Sequence, residues 1–260
     1  MTTNVLELKD ITKTFGGEIT ALDGISLGVP ERSIFGFVGL NGAGKTTTIR
    51  IIAGMIRESS GKMSFLGEPF SARERVAKRQ FGFVLDEPLY FDWMTAREYL
   101  RFAAVMYELP MRDAVARTDD LLDFLDLSER ANDPIATYST GMKKKVSLAA
   151  AIIHKPRVVI LDEPLEGIDA LTSSAIKKAL RHIAHSGATV MITSHNLDTL
   201  ERLCDHIGII HGGRVLLQCT MAELLERAKA SPGGGSADSL EEIFLKLVSA
   251  PSTVHLPSWL

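Results

Sequence analysis

The sequence predicts an α/β protein built on a mostly parallel β-sheet. Short runs that are almost wholly apolar alternate with stretches of helical hydrophobic spacing, and these runs lie at residues 33–38, 158–161 and 189–193. Runs that are apolar on both faces are typical of buried parallel strands joined by helical crossovers. Helix boundaries are also marked, because capping-box patterns occur at residues 95–98, 220–223 and 239–242.

Turn residues complete the outline. Gly187 stands where a helix stop is expected after the apolar series Ile176, Leu180 and Ile183. Gly212 and Gly213 separate two apolar runs and predict a tight hairpin.

Glycine and serine dominate the region near residue 235, which predicts a flexible linker to one last amphipathic helix. We therefore divide the chain into a unit at residues 1–230, a linker at 231–238, and a C-terminal helix and end at 239–260.

Composition limits the class of protein. With 260 residues and 45% hydrophobic side chains, the chain can bury one sizeable core. A formal net charge of -3 argues against a protein that binds nucleic acid. The two cysteines, Cys204 and Cys219, have neither metal-ligand nor redox spacing and fit a reducing compartment. Since no run reaches the roughly 18 apolar residues of a spanning helix, we expect a cytoplasmic chain that reaches a membrane only through a partner.

The first chemical motif lies at residues 39–46, Gly-Leu-Asn-Gly-Ala-Gly-Lys-Thr, between a predicted strand and a helix carrying Ile49, Ile52 and Ile56. Its glycines permit backbone conformations in which successive N–H groups converge on phosphate oxygens at a helix N-terminus. Lys45 adds a cation for the β and γ phosphates of ATP, and Thr46 offers a hydroxyl to Mg²⁺. The nucleotide-binding residues predicted here are Gly39, Asn41, Gly42, Ala43, Gly44, Lys45, Thr46 and Thr47. The alternative is a glycine-rich turn that matches by chance.

A second site is predicted where the apolar run 158–161 ends in two adjacent carboxylates and a proline. Asp162 can reach a metal ion through a water molecule, while Glu163 can polarise the water that attacks the γ phosphate. A solvated acidic turn after a strand is the alternative, and the phosphate-binding motif upstream argues against it.

Together these motifs resemble the ATP-binding cassette (ABC) ATPases, and residues 138–142, Tyr-Ser-Thr-Gly-Met, look like the signature loop of that family. Ser139 is predicted to cap a helix whose N-terminus could receive an anion of a partner molecule. The resemblance implies that Ser139 and Gly141 contact the nucleotide of a second copy. An ordinary capped helix is the alternative. The signature is loose, with Thr140 and Met142 where glycine and glutamine are commoner.

The resemblance assigns roles to further residues. Phe15 would stack on adenine, although a lone phenylalanine near a strand is otherwise often part of the core. Asp169 would contact the other subunit, with capping of the next helix as the alternative. His195 resembles the histidine that hydrogen-bonds the γ phosphate, and a surface histidine at a strand end is the alternative. Asp86 replaces the usual glutamine and could still ligate Mg²⁺, or Glu87 could do so after a one-residue slip.

The resemblance also implies a fold and a function. We expect a P-loop, RecA-like core, an N-terminal antiparallel sheet, and a helical insertion at about residues 87–156. Two copies would pack head to tail around two MgATP and drive a separately encoded membrane permease of an export type. The alternative is a slow, ATP-clamped regulatory module, which the departure at Asp86 motivates. For the basic cluster at residues 143–145, a solvated helix face is favoured over nucleic-acid binding.

Overall fold

The computed structural model describes residues 3–71, 78–86, 90–229 and 240–248. Its N-terminal part contains an antiparallel sheet in the order β2-β1-β4-β5. The four strands are β1 Asn4–Phe15, β2 Ile19–Pro30, β4 Ser60–Phe65 and β5 Glu68–Pro69. This arrangement confirms the antiparallel sheet expected in the N-terminal part of the chain.

The second sheet has six strands in the order β10-β9-β3-β8-β7-β6. Its strands are β3 Ile34–Val38, β6 Phe81–Val84, β7 Val158–Leu161, β8 Thr189–Ser194, β9 His206–His211 and β10 Arg214–Thr220. All neighbouring pairs are parallel except β9 and β10, which form a hairpin around Gly212 and Gly213. Every residue of β3, β7 and β8 is buried, which confirms the predicted parallel sheet with both faces covered.

Helices connect these strands. In chain order they are α1 Lys45–Ile52, α2 Ala96–Met106, α3 Met111–Phe124, α4 Thr140–Ile152, α5 Ala170–His185, α6 Leu197–Leu203, α7 Met221–Lys229 and α8 Leu240–Val248. Reciprocal capping hydrogen bonds are present at Thr95 and Thr220, as predicted. The prediction was wrong for Ile56, because α1 ends at Ile52. The linker at 231–238 and Ser239 of the third capping box lie outside the described residues.

The parallel sheet separates two apolar clusters. Phe35 and Phe37 on one face of β3 pack with α1 and the antiparallel sheet. Ile34 and Val38 on the other face belong to a larger cluster with α2 to α7 and with Phe244 of α8. Helix α4 lies very close to β6, since a Cβ added at Gly82 would fall 2.0 Å from the carbonyl oxygen of Ala151. A glycine at this position therefore fixes how near α4 comes to the sheet.

The helical layer α2 to α4 occupies the stretch between β6 and β7. In the described parts of the chain, no helix has the length and the apolar character needed to cross a membrane.

Candidate nucleotide-binding site

The glycine-rich loop connects β3 to α1, as the motif requires. Gly42 and Gly44 have positive φ angles of 79° and 114°, a region that side chains with a Cβ rarely adopt. A Cβ at Gly39 would lie 2.4 Å from the carbonyl oxygen of Ile210, so the loop packs tightly on the end of β9. Around these glycines Ala43 is buried and Asn41 is exposed, while Thr46 and Thr47 are half-buried in the first turn of α1. The backbone of residues 39–44 therefore forms a tight loop that ends at the N-terminus of α1.

Lys45 is buried and directed back into its own loop. Its Nζ donates hydrogen bonds to the carbonyl oxygens of Gly39, at 2.7 Å, and Leu40, at 3.4 Å. The same atom lies 3.7 Å from Oε1 of Glu163. Lys45 and Glu163 are 118 positions apart in sequence. They form a buried ion pair at the carboxyl ends of β3 and β7.

Asp162 is 1% exposed, and its two carboxylate oxygens differ in their hydrogen bonding. Its Oδ1 accepts a hydrogen bond of 2.6 Å from Oγ1 of Thr193 on the neighbouring strand β8. Within the described residues, its Oδ2 has no hydrogen-bond partner. Buried carboxylate oxygens normally find a partner, so Oδ2 is available to a ligand. Thr193, which also accepts a hydrogen bond from the backbone N–H of Glu163 at 3.0 Å, was not predicted as a site residue. Only its place at the end of a buried strand could have indicated it.

Glu163 connects the loop to His195. Its backbone has a φ of 46°, which is uncommon for a residue with a side chain. The carboxylate Oε2 lies 3.1 Å from Nδ1 of His195, whose side chain is 52% exposed. Ligand atoms of Glu163, His195 and Glu166 lie within 4.8 Å of one another. The imidazole is therefore held by the carboxylate while part of its ring stays accessible.

Asp86 is exposed two residues beyond β6. The backbone N–H of Asp162 donates to the carbonyl of Val84 at 2.8 Å, so Asp86 follows a strand end next to the carboxylate pair. Glu87 lies outside the described residues.

The interpretation of residues 143–145 as a solvated face was wrong for Lys144. Its Nζ donates to the carbonyl oxygens of Glu163, at 2.8 Å, and Glu166, at 2.6 Å. Its side chain is half-buried, because α4 lies against the turn that follows β7.

Ser139 caps α4 as predicted, since its side chain accepts a hydrogen bond of 3.3 Å from the N–H of Met142. It is exposed, and the buried Gly141 packs near Thr172 of α5. Asp169 caps α5 by accepting from the N–H of Thr172 at 2.9 Å. The backbone and side-chain hydrogen bonds from Thr172 hold the pKa of Asp169 below its ordinary value. Ser139 and Asp169 therefore each cap a helix within one chain. Among the described residues, neither forms a hydrogen bond with the glycine-rich loop of the same chain.

Phe15 ends β1 and is 41% exposed, with Nζ of Lys13 at 4.9 Å from its ring centre. It is therefore not part of the core. An exposed ring beside a cation is a suitable stacking surface for a planar base.

A parallel sheet with a glycine-rich loop between strand and helix defines the class of phosphate-loop nucleotide-binding proteins. The family described as ABC transporter matches residues 22–166, and the chain belongs to this family. It is the ATP-binding subunit of an ABC transporter and an ATPase.

Relatives and solved structures agree with this membership. The chain is 37% identical to the linearmycin resistance ATP-binding protein of Bacillus subtilis (strain 168), over 86% of this chain and 71% of that protein. It is 33% identical to the bacitracin transport ATP-binding protein of Bacillus licheniformis, over 86% of this chain and 72% of that protein. A solved ATP-binding subunit of an ABC transporter superimposes with a TM-score of 0.83 at 30% identity, covering 94% of this chain and 99% of that one.

Proposed function

We propose that two copies of this chain bind two MgATP between them, hydrolyse ATP with Glu163 as the base, and thereby drive export through a separate membrane permease. The observation that carries this proposal is the meeting of Lys45, Glu163 and His195 in one contact chain of 3.7 Å and 3.1 Å. Hydrolysis of a phosphoanhydride needs a cation for the phosphates and a carboxylate that can accept a proton from water, and both lie here at one edge of the sheet beside an imidazole.

In this proposal the loop 39–47 binds the phosphates. Its backbone N–H groups and Lys45 would neutralise the triphosphate. Lys45 would exchange its hydrogen bonds with Gly39 and Leu40 for phosphate oxygens. Glu163 would then accept a proton from the attacking water, and His195 would hold the γ phosphate while Glu163 restrains its ring.

The polar groups beside the loop fit Mg²⁺. The free Oδ2 of Asp162 is a buried oxygen without a partner among the described residues, and Thr46 offers a hydroxyl in the first turn of α1. Oxygen ligands of this kind suit Mg²⁺, which would offset the charge of the phosphates when bound. Asp86, exposed at the same edge of the sheet, is the third candidate ligand.

A second copy would complete each site. Ser139 is exposed at the N-terminus of α4, a position where backbone N–H groups attract an anion. In a two-fold dimer, the same helix of each copy can face the other copy's phosphates. Gly141 would allow close approach, Asp169 would lie at the contact, and Phe15 would stack on adenine.

An exposed aromatic cluster provides a surface for the permease. The aromatic cluster consists of Phe91, Trp93 and Phe102, which are 44%, 72% and 39% exposed. The ring centre of Phe91 lies 5.9 Å from that of Trp93 and 5.5 Å from that of Phe102. Exposed apolar patches of this kind mark interaction sites. Tyr90 ties the same segment to α4 through a 2.7 Å hydrogen bond to the carbonyl of Lys143. Two relatives are named for resistance to linearmycin and for transport of bacitracin, which favours export as the direction of transport.

The division of the chain follows this function. Residues 1–230 would be the nucleotide-binding unit, with the helical part at about 87–156 carrying α2, α3 and α4. Of the tail 239–260, α8 packs on the body through Leu240 and Phe244, and the N–H of Leu240 donates to Glu201. A permease partner would place the protein at the cytoplasmic face of a membrane.

Replacement of Glu163 tests the hydrolytic part. Glu163→Gln should keep ATP affinity, lower kcat roughly 100-fold or more, and stabilise a dimer that light scattering detects only with ATP. Glu129→Gln, an exposed carboxylate in a different part of the chain, is the matched control. Unchanged turnover in Glu163→Gln would remove Glu163 from the role of base. A parent protein that dimerises with ATP yet hardly turns it over would favour the regulatory alternative.

The permease part is tested by affinity purification from solubilised membranes. The parent chain should retain a membrane protein, and Trp93→Ser should lose it while keeping its ATPase activity. Met55→Ser, which alters an exposed apolar residue outside the aromatic cluster, is the control. Equal retention by both variants would show that the aromatic cluster is not the docking surface.

A further inference from the structure

Lys144 makes contacts that its position in a basic cluster does not predict. It lies on the second turn of α4, one turn after the exposed Ser139. Its ammonium group donates to two backbone carbonyls, those of Glu163 and Glu166, at 2.8 Å and 2.6 Å. The side chain of Lys144 therefore joins α4 to both ends of the turn 163–166, which carries Glu163.

The turn that Lys144 contacts has an uncommon conformation. Glu163 has a φ of 46°, and the N–H of Glu166 donates to the carbonyl of Glu163 at 3.2 Å. A non-glycine residue in the left-handed region has a conformational cost that surrounding contacts must offset. Two charge-assisted hydrogen bonds to the carbonyls of this turn are contacts of that kind.

The conformation of this turn determines where the Glu163 carboxylate points. Its Oε1 lies 3.7 Å from Nζ of Lys45 and its Oε2 lies 3.1 Å from Nδ1 of His195, while its carbonyl oxygen accepts from Lys144. The N–H of Glu163 is fixed by Thr193, so the carbonyl is the part of its backbone that α4 controls.

The pKa of Lys144 lies below its ordinary value, with burial and the nearby charges acting in opposite directions. Burial lowers the pKa of Lys144, and the carboxylates of Asp86, Glu166 and Glu163 act in the opposite direction. The neighbouring Lys143 differs, since its Nζ lies 3.7 Å from Oδ1 of Asp92, at a distance from this turn. Two adjacent lysines of equal charge thus contact different parts of the chain.

We infer that Lys144 is a positioning residue for ATP hydrolysis: its ammonium group, carried by the helix that begins at Ser139, holds the turn 163–166 so that Glu163 faces the nucleotide loop. This inference rests on the proposed role of Glu163. It also gives α4 a direct means of affecting hydrolysis within its own chain, because any displacement of α4 moves the group that holds the turn.

The test compares steady-state ATP hydrolysis by full-length variants. Lys144→Met should lower kcat roughly 10- to 100-fold, because small misplacements of a reacting group have effects of that size, while the KM for ATP changes less than about threefold. Lys144→Arg, which keeps the charge and the donors, should recover most of the lost kcat. Lys143→Met removes the same charge from the same helix turn and should keep the kcat of the parent. If Lys144→Met does not fold, Lys144→Gln, which keeps one amide donor, replaces it.

A double variant separates positioning from structural damage. If Lys144 acts through Glu163, then adding Lys144→Met to Glu163→Gln should lower kcat no further than Glu163→Gln does alone. A further 10-fold loss in the double variant, an unchanged kcat in Lys144→Met, or a loss confined to KM would overturn the inference. Parent turnover in Glu163→Gln alone would instead overturn the proposed role of Glu163, so the two failures can be told apart.

Discussion

His154 provides a pH-dependent measure of how α4 packs on the sheet. It follows α4, and its ring stacks on Tyr107 with ring centres 3.5 Å apart and planes inclined by 6°. Nε2 lies 3.0 Å from the carbonyl oxygen of Phe81, and Nδ1 is buried with no partner among the described residues. Burial lowers the pKa of His154 from 6.5 to about 4, with the charge of Arg117 acting in the same direction and the contact with Phe81 opposing it.

The direction of the pH effect follows from these two values. Between pH 6.5 and pH 4 the unfolded chain binds a proton at His154 and the folded chain does not, so stability is lost as the pH falls through this range. From pH 7.5 to pH 5.0 this linkage amounts to about 2 kcal/mol. Because the ring is only half-buried, solvent screening reduces the expected effect to about 1 kcal/mol.

Urea unfolding at the two pH values measures the effect. The free energy of unfolding of the parent should fall by about 1 kcal/mol more than that of His154→Gln, which keeps a donor near Phe81 but does not titrate. His211→Gln, which removes an exposed imidazole at the end of β9, is the matched control for loss of a histidine. The same pH dependence in His154→Gln as in the parent, or an NMR titration of the His154 ring near pH 6.5, would show that burial does not lower the pKa of His154.

Three further predictions concern the sheet, the carboxylate pair and the exposed ring. Gly82→Ala places a Cβ 2.0 Å from the carbonyl oxygen of Ala151, so thermal unfolding should show a loss of stability of about 2 kcal/mol or more. An unchanged unfolding temperature would show that α4 is not held this close to β6. Thr193→Val removes the hydroxyl that donates to Asp162 and accepts from the N–H of Glu163. We expect kcat to fall roughly 10-fold, with the affinity for ATP less affected. An unchanged kcat would show that this hydroxyl does not orient Asp162 and Glu163. Phe15→Ala should weaken ATP binding in calorimetry by about 1 kcal/mol, and Ile19→Ala, another exposed apolar residue of the same sheet, should not.

The parallel core was predictable because its strands carry an unambiguous pattern. Residues 158–161 are apolar throughout and residues 190–192 are apolar between two threonines, and a strand covered on both faces suits such runs. Glycine positions were equally informative, since the positive φ angles of Gly42, Gly44, Gly212 and Gly213 are those that a phosphate-binding loop and a tight hairpin need. Caps at Ser139 and Asp169 followed from short-range hydrogen bonding alone.

Contacts between distant elements could not be read in the same way. Lys144 and the turn at Glu163 are separated by 19 positions, and the direction of a lysine on a helix depends on what packs beside it. Thr193 is one polar residue in a strand, and its contact with Asp162 depends on the register of β8 against β7. The end of α1 at Ile52 was missed because the apolar spacing continues to Ile56 after the helix has stopped. Local pattern predicts elements, whereas such partners are set by the tertiary packing.

Mixing two inactive variants tests the proposal that Lys45 of one copy and Ser139 of a second copy form one ATP site. Lys45→Ala and Ser139→Arg should each lack ATPase activity alone. An equimolar mixture that exchanges subunits should regain about one quarter of the parent turnover, because half of the dimers are mixed and each holds one intact site. No recovery in a mixture whose subunits have exchanged, or full activity of Ser139→Arg alone, would show that the two copies do not share an ATP site.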